Sequence, residues 1–339
     1  MSLPKTYRRA VFPGMGQPLA VEEAPLRTPA SNELLVKVEA CGVCHSDMYS
    51  QYNALGAGFP IAPGHEIIGK VAAVGDAVAG WKVGDRVGGG WHGGHDGTCN
   101  ACKQGWFNMC DHQAVNGATM DGGYAEYAYL RAEAGVRIPA DVDAAKYAPL
   151  LCAGITVFNS MRAQKVTPGE TVAVQGLGGL GHLAIQYAKF MGYRVVAVSR
   201  GADKEKAARA LGAHEYVDSS AGDPGEQLKA LGGAALVVST AATSEAMAPL
   251  LKGLAIHGKL LVLGIPEKLE FPTLELLRYG CSVQVWPSGH QGDSEDTIAF
   301  SKLHGVDCQI ERFPLARARE AYDAMMSGTV RFRSVITME

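Results

Sequence analysis

The chain has 339 residues and a net charge of −3, with no long run of either sign, so nothing in it suits nucleic acid. Its 42 glycines and 16 prolines suit tight turns rather than disorder, because 47% of the residues are apolar. The length predicts about two domains, each able to bury its own core.

No apolar run reaches the ~20 residues that span a bilayer. Met1–Gly14 carries Lys5, Arg8 and Arg9 with no apolar stretch behind them, which is not a signal peptide. A cytoplasmic protein with no membrane partner is expected. Eight cysteines stand at 41, 44, 99, 102, 110, 152, 281 and 308. In a long chain without a leader they are expected as metal ligands or catalytic thiols rather than disulfides.

Residues 7–40 alternate apolar and polar in short runs broken by Pro and Gly, a β pattern with turns. Glu66–Gly75 continues it, and Trp81–Val87 reads as a further strand. Gly88–Gly123 is glycine-rich and loop-like. Residues 1 to about 150 therefore read as a β-rich domain with few helices. Cys44 is a soft ligand, His65 offers an imidazole and Cys152 a second sulfur. Two sulfurs, one imidazole and an open fourth position make a catalytic zinc site.

Beyond residue 150 the pattern changes. Gly169–Gln175 is a short apolar strand, and Gly176–Gly181 a glycine turn. His182–Met191 has helical spacing, and Tyr193–Ser199 is the next strand. Asp203–Leu211 reads as helix and Glu215–Asp218 as strand. Ala235–Thr240 and Gly258–Gly264 are further strands, with a helix over Glu245–Leu254. Alternating strand and helix predicts a parallel sheet covered on both faces. The tail from about 290 reads helix, strand, helix, strand, and its last strand, Phe332–Thr337, can return to the first domain.

Gly176-Leu-Gly-Gly-Leu-Gly181 fits G-x-G-x-x-G between a strand and a helix, the context in which that pattern binds a dinucleotide. Gly176, Gly178, Gly179 and Gly181 allow a tight turn and close approach of the pyrophosphate to a helix N-terminus. At the end of the second strand an acidic residue would take the ribose 2′-hydroxyl. Here Ser199 and Arg200 stand there, with Lys204 a turn later, which favours NADP(H) over NAD(H).

Together these residues resemble the zinc-dependent alcohol dehydrogenases of the medium-chain dehydrogenase/reductase superfamily. The match runs through Gly42–Asp47, Gly64–Glu66, Val83–Val87, Leu151–Thr156 and Gly176–Gly181. The resemblance implies an α/β protein of two parts. One is a β-rich GroES-like catalytic domain, residues 1–153 and 289–339, holding both zinc sites. The other is a Rossmann doubly wound parallel-sheet cofactor domain, residues 154–288.

It further implies that Cys44, His65 and Cys152 hold the catalytic zinc, with Glu66 beside it and Asp47 orienting His65. Ser46 takes the alcohol proton. Many members carry a histidine three residues later, where this chain has Tyr49. His45 and Arg333 are placed near the cofactor pyrophosphate and Thr156 near the nicotinamide. Zinc supplies a Lewis acid that lets an alcohol surrender a hydride to the nicotinamide.

The family's structural zinc lobe has four cysteines spaced C-x2-C-x2-C-x7-C. Here Cys99, Cys102 and Cys110 fill the last three places and Asp96 the first, so two zinc ions per chain are expected. His92 and His95 are rival fourth ligands. Cys41, Cys281 and Cys308 read as small buried hydrophobes.

By the same resemblance Trp91 and Trp286 line the substrate pocket, with Leu55 or Tyr52 on the early loop. That suits a primary alcohol or aldehyde with an apolar or aromatic tail. A homotetramer is implied by chain length, with a dimer as the alternative. Two rival readings are a metal-free quinone or enoyl reductase on the same fold, and a thiol-redox sensor built on Cys41 and Cys44 or on Cys99 and Cys102.

Overall fold

The computed structural model describes residues 3–338. It divides into two compact units, one spanning Met1–Ile155 and Gly289–Glu339, the other Thr156–Ser288. Among the described residues no helix is long and apolar enough to cross a membrane.

The first unit is built on a seven-stranded sheet. Its spine is Glu33–Gly42, whose run of Leu34, Leu35, Val36 and Val38 is buried, as strand-forming aliphatics on a pleated core surface should be. Ile67–Val74 pairs with it antiparallel, Cys41 facing Ile67. On its other side the strand is shared. Tyr127–Arg131 covers the first half, and the C-terminal Arg333–Thr337 covers the second, with Val335 facing Gly42. The end of Glu33–Gly42, the start of Ile67–Val74 and the start of Arg333–Thr337 thus meet at one end of the sheet. Cys44, His65 with Glu66, and Arg333 lie there. Core packing beneath them includes Phe12, Leu34, Val36, Ile67, Tyr124 and Ile336.

Trp81–Val87 is not a strand throughout; pairing begins only at Arg86. Gly84 has φ +93°, and the Lys82 N–H donates to Asp85 Oδ2 at 3.0 Å, which closes a turn before the strand. The described helices between residues 3 and 150 are single turns: Met48–Gln51, Asn100–Lys103 and Ala144–Tyr147.

The second unit is a six-stranded parallel sheet. Its order is Glu215–Asp218, Arg194–Ser199, Thr171–Gln175, Ala234–Ser239, Leu254–Val262, Ser282–Val285. Val172–Val174, Val195–Val198 and Leu236–Val238 are buried without alternation, the pattern of strands covered on both faces. Strand order reverses between Thr171–Gln175 and Ala234–Ser239, the position where open α/β sheets bind ligands.

The helix expected over Glu245–Leu254 is instead one α-turn, Ser244–Met247, followed by a 3-10 stretch, Ala248–Gly253. Pro249 withholds an amide there. Helices Pro224–Ala230 and Thr273–Tyr279 and the edge strand Ser282–Val285 were not signalled by sequence period.

Candidate active site and metal centres

Cys44 follows directly from the spine strand and caps the short 3-10 turn His45–Asp47. His65 and Glu66 precede the neighbouring strand, and Cys152 ends the 3-10 turn Ala148–Leu151. One donor atom each from Cys44, His65, Glu66 and Cys152 lies within 4.8 Å of the others. The two sulfurs are 3.7 Å apart. A disulfide would need about 2.05 Å. Two sulfurs each about 2.3 Å from one tetrahedral ion stand roughly 3.8 Å apart, so the spacing fits a shared zinc.

Its chemistry fits as well. His65 is 1% exposed, and its Nε2 has no hydrogen-bond partner. Its Nδ1 lies 3.1 Å from Asp47 Oδ1, and a carboxylate on that side of the ring favours the tautomer with the proton on Nδ1 and the lone pair on Nε2. Asp47 Oδ2 accepts from the Tyr124 hydroxyl at 2.6 Å and from the Cys44 N–H at 2.9 Å. The hydrogen bond from Cys152, and then His65, hold the Cys44 thiol below the usual range, while the same bond and burial raise Cys152. Both sulfurs ionise together only beside a cation.

Glu66 is fully buried, and burial first pushes its carboxyl up to about 7, against the pull of Arg333. Arg333 Nη2 donates to Glu66 Oε1, and the guanidinium is itself buried. Arg333 therefore faces Glu66 rather than standing as a free surface cation. Gly42 is the only residue type that fits opposite this pair, because a Cβ there would strike the Glu66 carboxylate. The Trp91 ring packs edge-on to His65 at 4.9 Å, and Tyr49 packs on Trp91 at 6.1 Å. Ser46 is half-buried on the turn beside Cys44, and His45 is exposed.

The second cluster joins Asp96, Cys99, Cys102 and Cys110, again within 4.8 Å. Backbone amides of Asp96, Cys102 and His112 point at the sulfurs of Cys110, Cys99 and Cys110 at 3.3–3.5 Å, a setting that favours thiolates. Asp96 Oδ1 accepts from the Thr98 and Cys99 amides, and Oδ2 lies 2.7 Å from His112 Nδ1. The Cys99 amide, then His112, hold the carboxyl well below the usual range. His92 and His95 bond to one another at 3.1 Å and stand outside the cluster.

Of the other cysteines, Cys41 and Cys308 are buried, and Cys281 is half-buried with its thiol donating to Ala255 O at 3.4 Å.

In the second unit Gly176 leaves its strand with φ +95°, and a Cβ there would strike Thr240. A Cβ at Gly181 would strike Gly176 O, so the turn can close only on glycine. Gly178 has open space around it, and the helix Gly181–Phe190 follows. Ser199 is half-buried, while Arg200 and Lys204 are exposed. Asp218 faces Ser199 across the adjoining strand, so the strand end does not lack a carboxylate as the sequence suggests. Its Oδ1 is bound by the Gly201 amide at 2.9 Å and by Ser220. Thr156 Oγ1 donates to Ser288 Oγ at 3.0 Å. Trp286 is half-buried in this unit; Leu55 and Tyr52 are exposed in the other.

Residues 30–140 match the family model of the alcohol dehydrogenase GroES-like domain, and residues 179–302 that of the zinc-binding dehydrogenases. The chain is 67% identical to alcohol dehydrogenase notN of Aspergillus sp. (strain MF297-2) over 339 residues, covering 100% of each chain. It belongs to the zinc-type alcohol dehydrogenases of the medium-chain dehydrogenase/reductase superfamily.

Solved relatives agree with the dehydrogenase in fold. A cinnamyl alcohol dehydrogenase of Sorghum bicolor superposes with a TM-score of 0.88 at 30% identity, covering 98% of both chains. The CAD from Helicobacter pylori complexed with NADP(H) gives 0.87 at 25% identity, again covering 98% of both. The chain is an NAD(P)-dependent alcohol dehydrogenase that interconverts alcohols and aldehydes.

Sequence reasoning missed four residues of the dehydrogenase's sites: Tyr124, His112, Asp218 and Gly42. A Tyr in Asp121-Gly-Gly-Tyr124, read next to the buried strands, offered the only hint of the first.

Proposed function

We propose that this dehydrogenase acts through a zinc ion held by Cys44, His65 and Cys152, and carries a second, structural zinc on Asp96, Cys99, Cys102 and Cys110. The observation that carries the reading is the 3.7 Å sulfur pair beside a buried, unbonded His65 Nε2. Zinc at the first site supplies the Lewis acidity that lowers an alcohol's pKa or polarises an aldehyde, so that a hydride passes to or from the nicotinamide.

The chain's own residues do the rest. Asp47 holds the Nδ1 proton of His65 and keeps Nε2 free. Ser46 Oγ takes the alcohol proton. Tyr49 stands where many relatives have a histidine, so the proton travels onward through water. Glu66, paired with Arg333, keeps a carboxylate close to the ligands. The open turn at Gly178, the helix behind it and the cations Arg200 and Lys204 support NADP(H) in preference to NAD(H). Asp218, opposite Ser199, weighs on the side of NAD(H), with its Oδ1 taken by the Gly201 and Ser220 amides and the Ser220 hydroxyl. Trp91 packed edge-on to His65 supports a primary alcohol or aldehyde with an apolar or aromatic tail. A cytoplasmic homotetramer completes the reading, by likeness of chain length.

Cys44→Ala tests it. Turnover is expected to fall by more than a thousandfold while cofactor binding stays within about twofold, because the dinucleotide turn lies in the other unit. Retained turnover refutes zinc catalysis at this site.

A further inference from the structure

We infer that Tyr124 is a positioning residue for His65, acting through Asp47; this rests on the reading of His65 as a metal ligand. Asp47 accepts two hydrogen bonds at one oxygen and turns the other towards His65. Oδ1 faces His65 Nδ1 at 3.1 Å, and Oδ2 takes the Tyr124 hydroxyl at 2.6 Å and the Cys44 amide at 2.9 Å. The three side chains are buried: Tyr124 is 0% exposed, Asp47 1% and His65 1%. With all three buried, these contacts set the plane of the carboxylate.

The hydroxyl is not there for packing. Tyr124 sits in a core of aliphatic and aromatic side chains, where a phenol without a partner is costly and Phe would serve as well. Burial, then the charge of Asp47, holds the phenol above its usual range, so it remains a donor at every working pH. The ring has a separate job. A Cβ at Gly64, whose φ is +101°, would strike the Tyr124 ring at 2.5–2.7 Å. The ring therefore lies directly under the residue that precedes His65. Ring and hydroxyl thus steady the ligand from two sides: one supports its backbone, the other fixes the carboxylate that selects its tautomer. The hydroxyl bridges 77 positions of sequence to reach Asp47.

Tyr124→Phe separates the two jobs, because it keeps the ring and removes one oxygen. The assay is metal release from the purified holoenzyme to a chromophoric chelator, with the absorption spectrum of the cobalt-substituted enzyme as a report on ligand geometry. Outer-shell partners of metal ligands are worth 10–100-fold in metal affinity or activity. The variant is expected to keep its unfolding temperature within a few degrees and its cofactor affinity unchanged. It should release the Cys44-dependent metal about tenfold faster, shift the cobalt spectrum and lose kcat more than KM.

Asp47→Ala, which removes the acceptor, supplies the second arm. If Tyr124 acts through Asp47, adding Tyr124→Phe to it causes no further acceleration. Release at the wild-type rate from Tyr124→Phe, or losses that multiply in the double variant, overturn the inference. A wild-type enzyme without Cys44-dependent metal overturns the zinc reading itself, and the inference with it.

Discussion

Gly42→Ala is the sharpest perturbation of the fold around the catalytic cluster. The added Cβ would meet the Glu66 carboxylate head-on, with Glu66 Cδ at 2.9 Å and its Cβ at 3.1 Å. Gly42 belongs to the spine strand, bonded to Val335 on one side, and its amide donates to Glu66 O at 3.1 Å. The backbone cannot retreat, so Glu66 must. Moving it separates the carboxylate from Arg333, and both are buried. Breaking a buried ion pair costs about 3–5 kcal/mol.

Each kcal/mol lowers the melting temperature by roughly 2–4 °C for a domain of about 150–250 residues. The expected fall is therefore on the order of 10 °C, read by differential scanning calorimetry or circular dichroism. The double variant Gly42→Ala with Glu66→Ala should recover little of that loss, because the clash disappears but Arg333 stays buried without its partner. A melting point within about 2 °C of wild type for Gly42→Ala would refute the close packing of Gly42 against the ion pair.

Arg200→Ala should reduce kcat/KM with NADPH by about 10–100-fold, the worth of one lost charge-assisted bidentate contact, and leave NADH within about twofold; equal losses with both cofactors refute the 2′-phosphate role. His92 gives an acid-stability prediction. Burial, then His95 and His290, press its imidazole down to about 3 from an ordinary 6.5. The unfolded chain binds that proton and the folded chain does not, so the stability present above pH 6.5 is lost as pH falls towards 3. The slope is about 1.4 kcal/mol per pH unit. Between pH 7 and pH 5, His92→Asn should thus gain about 2 kcal/mol relative to wild type in urea titrations; parallel profiles would refute it.

The parts legible in sequence were those that residue type and spacing spell out. The glycine turn reads directly because only glycine satisfies the φ of Gly176 and the approach of Gly181 to Gly176 O. Cysteines spaced as in Cys99–Cys102–Cys110 announce a metal lobe. The continuous valines of Val195–Val198 announce a strand covered on both faces.

What was hidden depends on pairing across long stretches of chain. Tyr124 meets Asp47, and Arg333 meets Glu66 267 positions away, through sheet neighbours that no local period reveals. His112 takes a place at Asp96 because the chain doubles back after Cys110. Asp218 was missed because its relevance arises from register, Ser199 opposite Asp218, and not from position on its own strand. The false extension of the strand back to Trp81 came from an apolar alternation that the turn at Gly84 interrupts.

The central claim is that two clusters of donors each hold a zinc ion and that only one of them does chemistry. Elemental analysis of the purified protein by inductively coupled plasma mass spectrometry tests it most directly. Two zinc per chain are expected for wild type. Cys44→Ala should hold one and have no turnover, and Asp96→Ala should also hold one but keep turnover while losing thermal stability. A wild-type protein that turns over with no zinc, or a Cys44→Ala variant that still holds two, would contradict it.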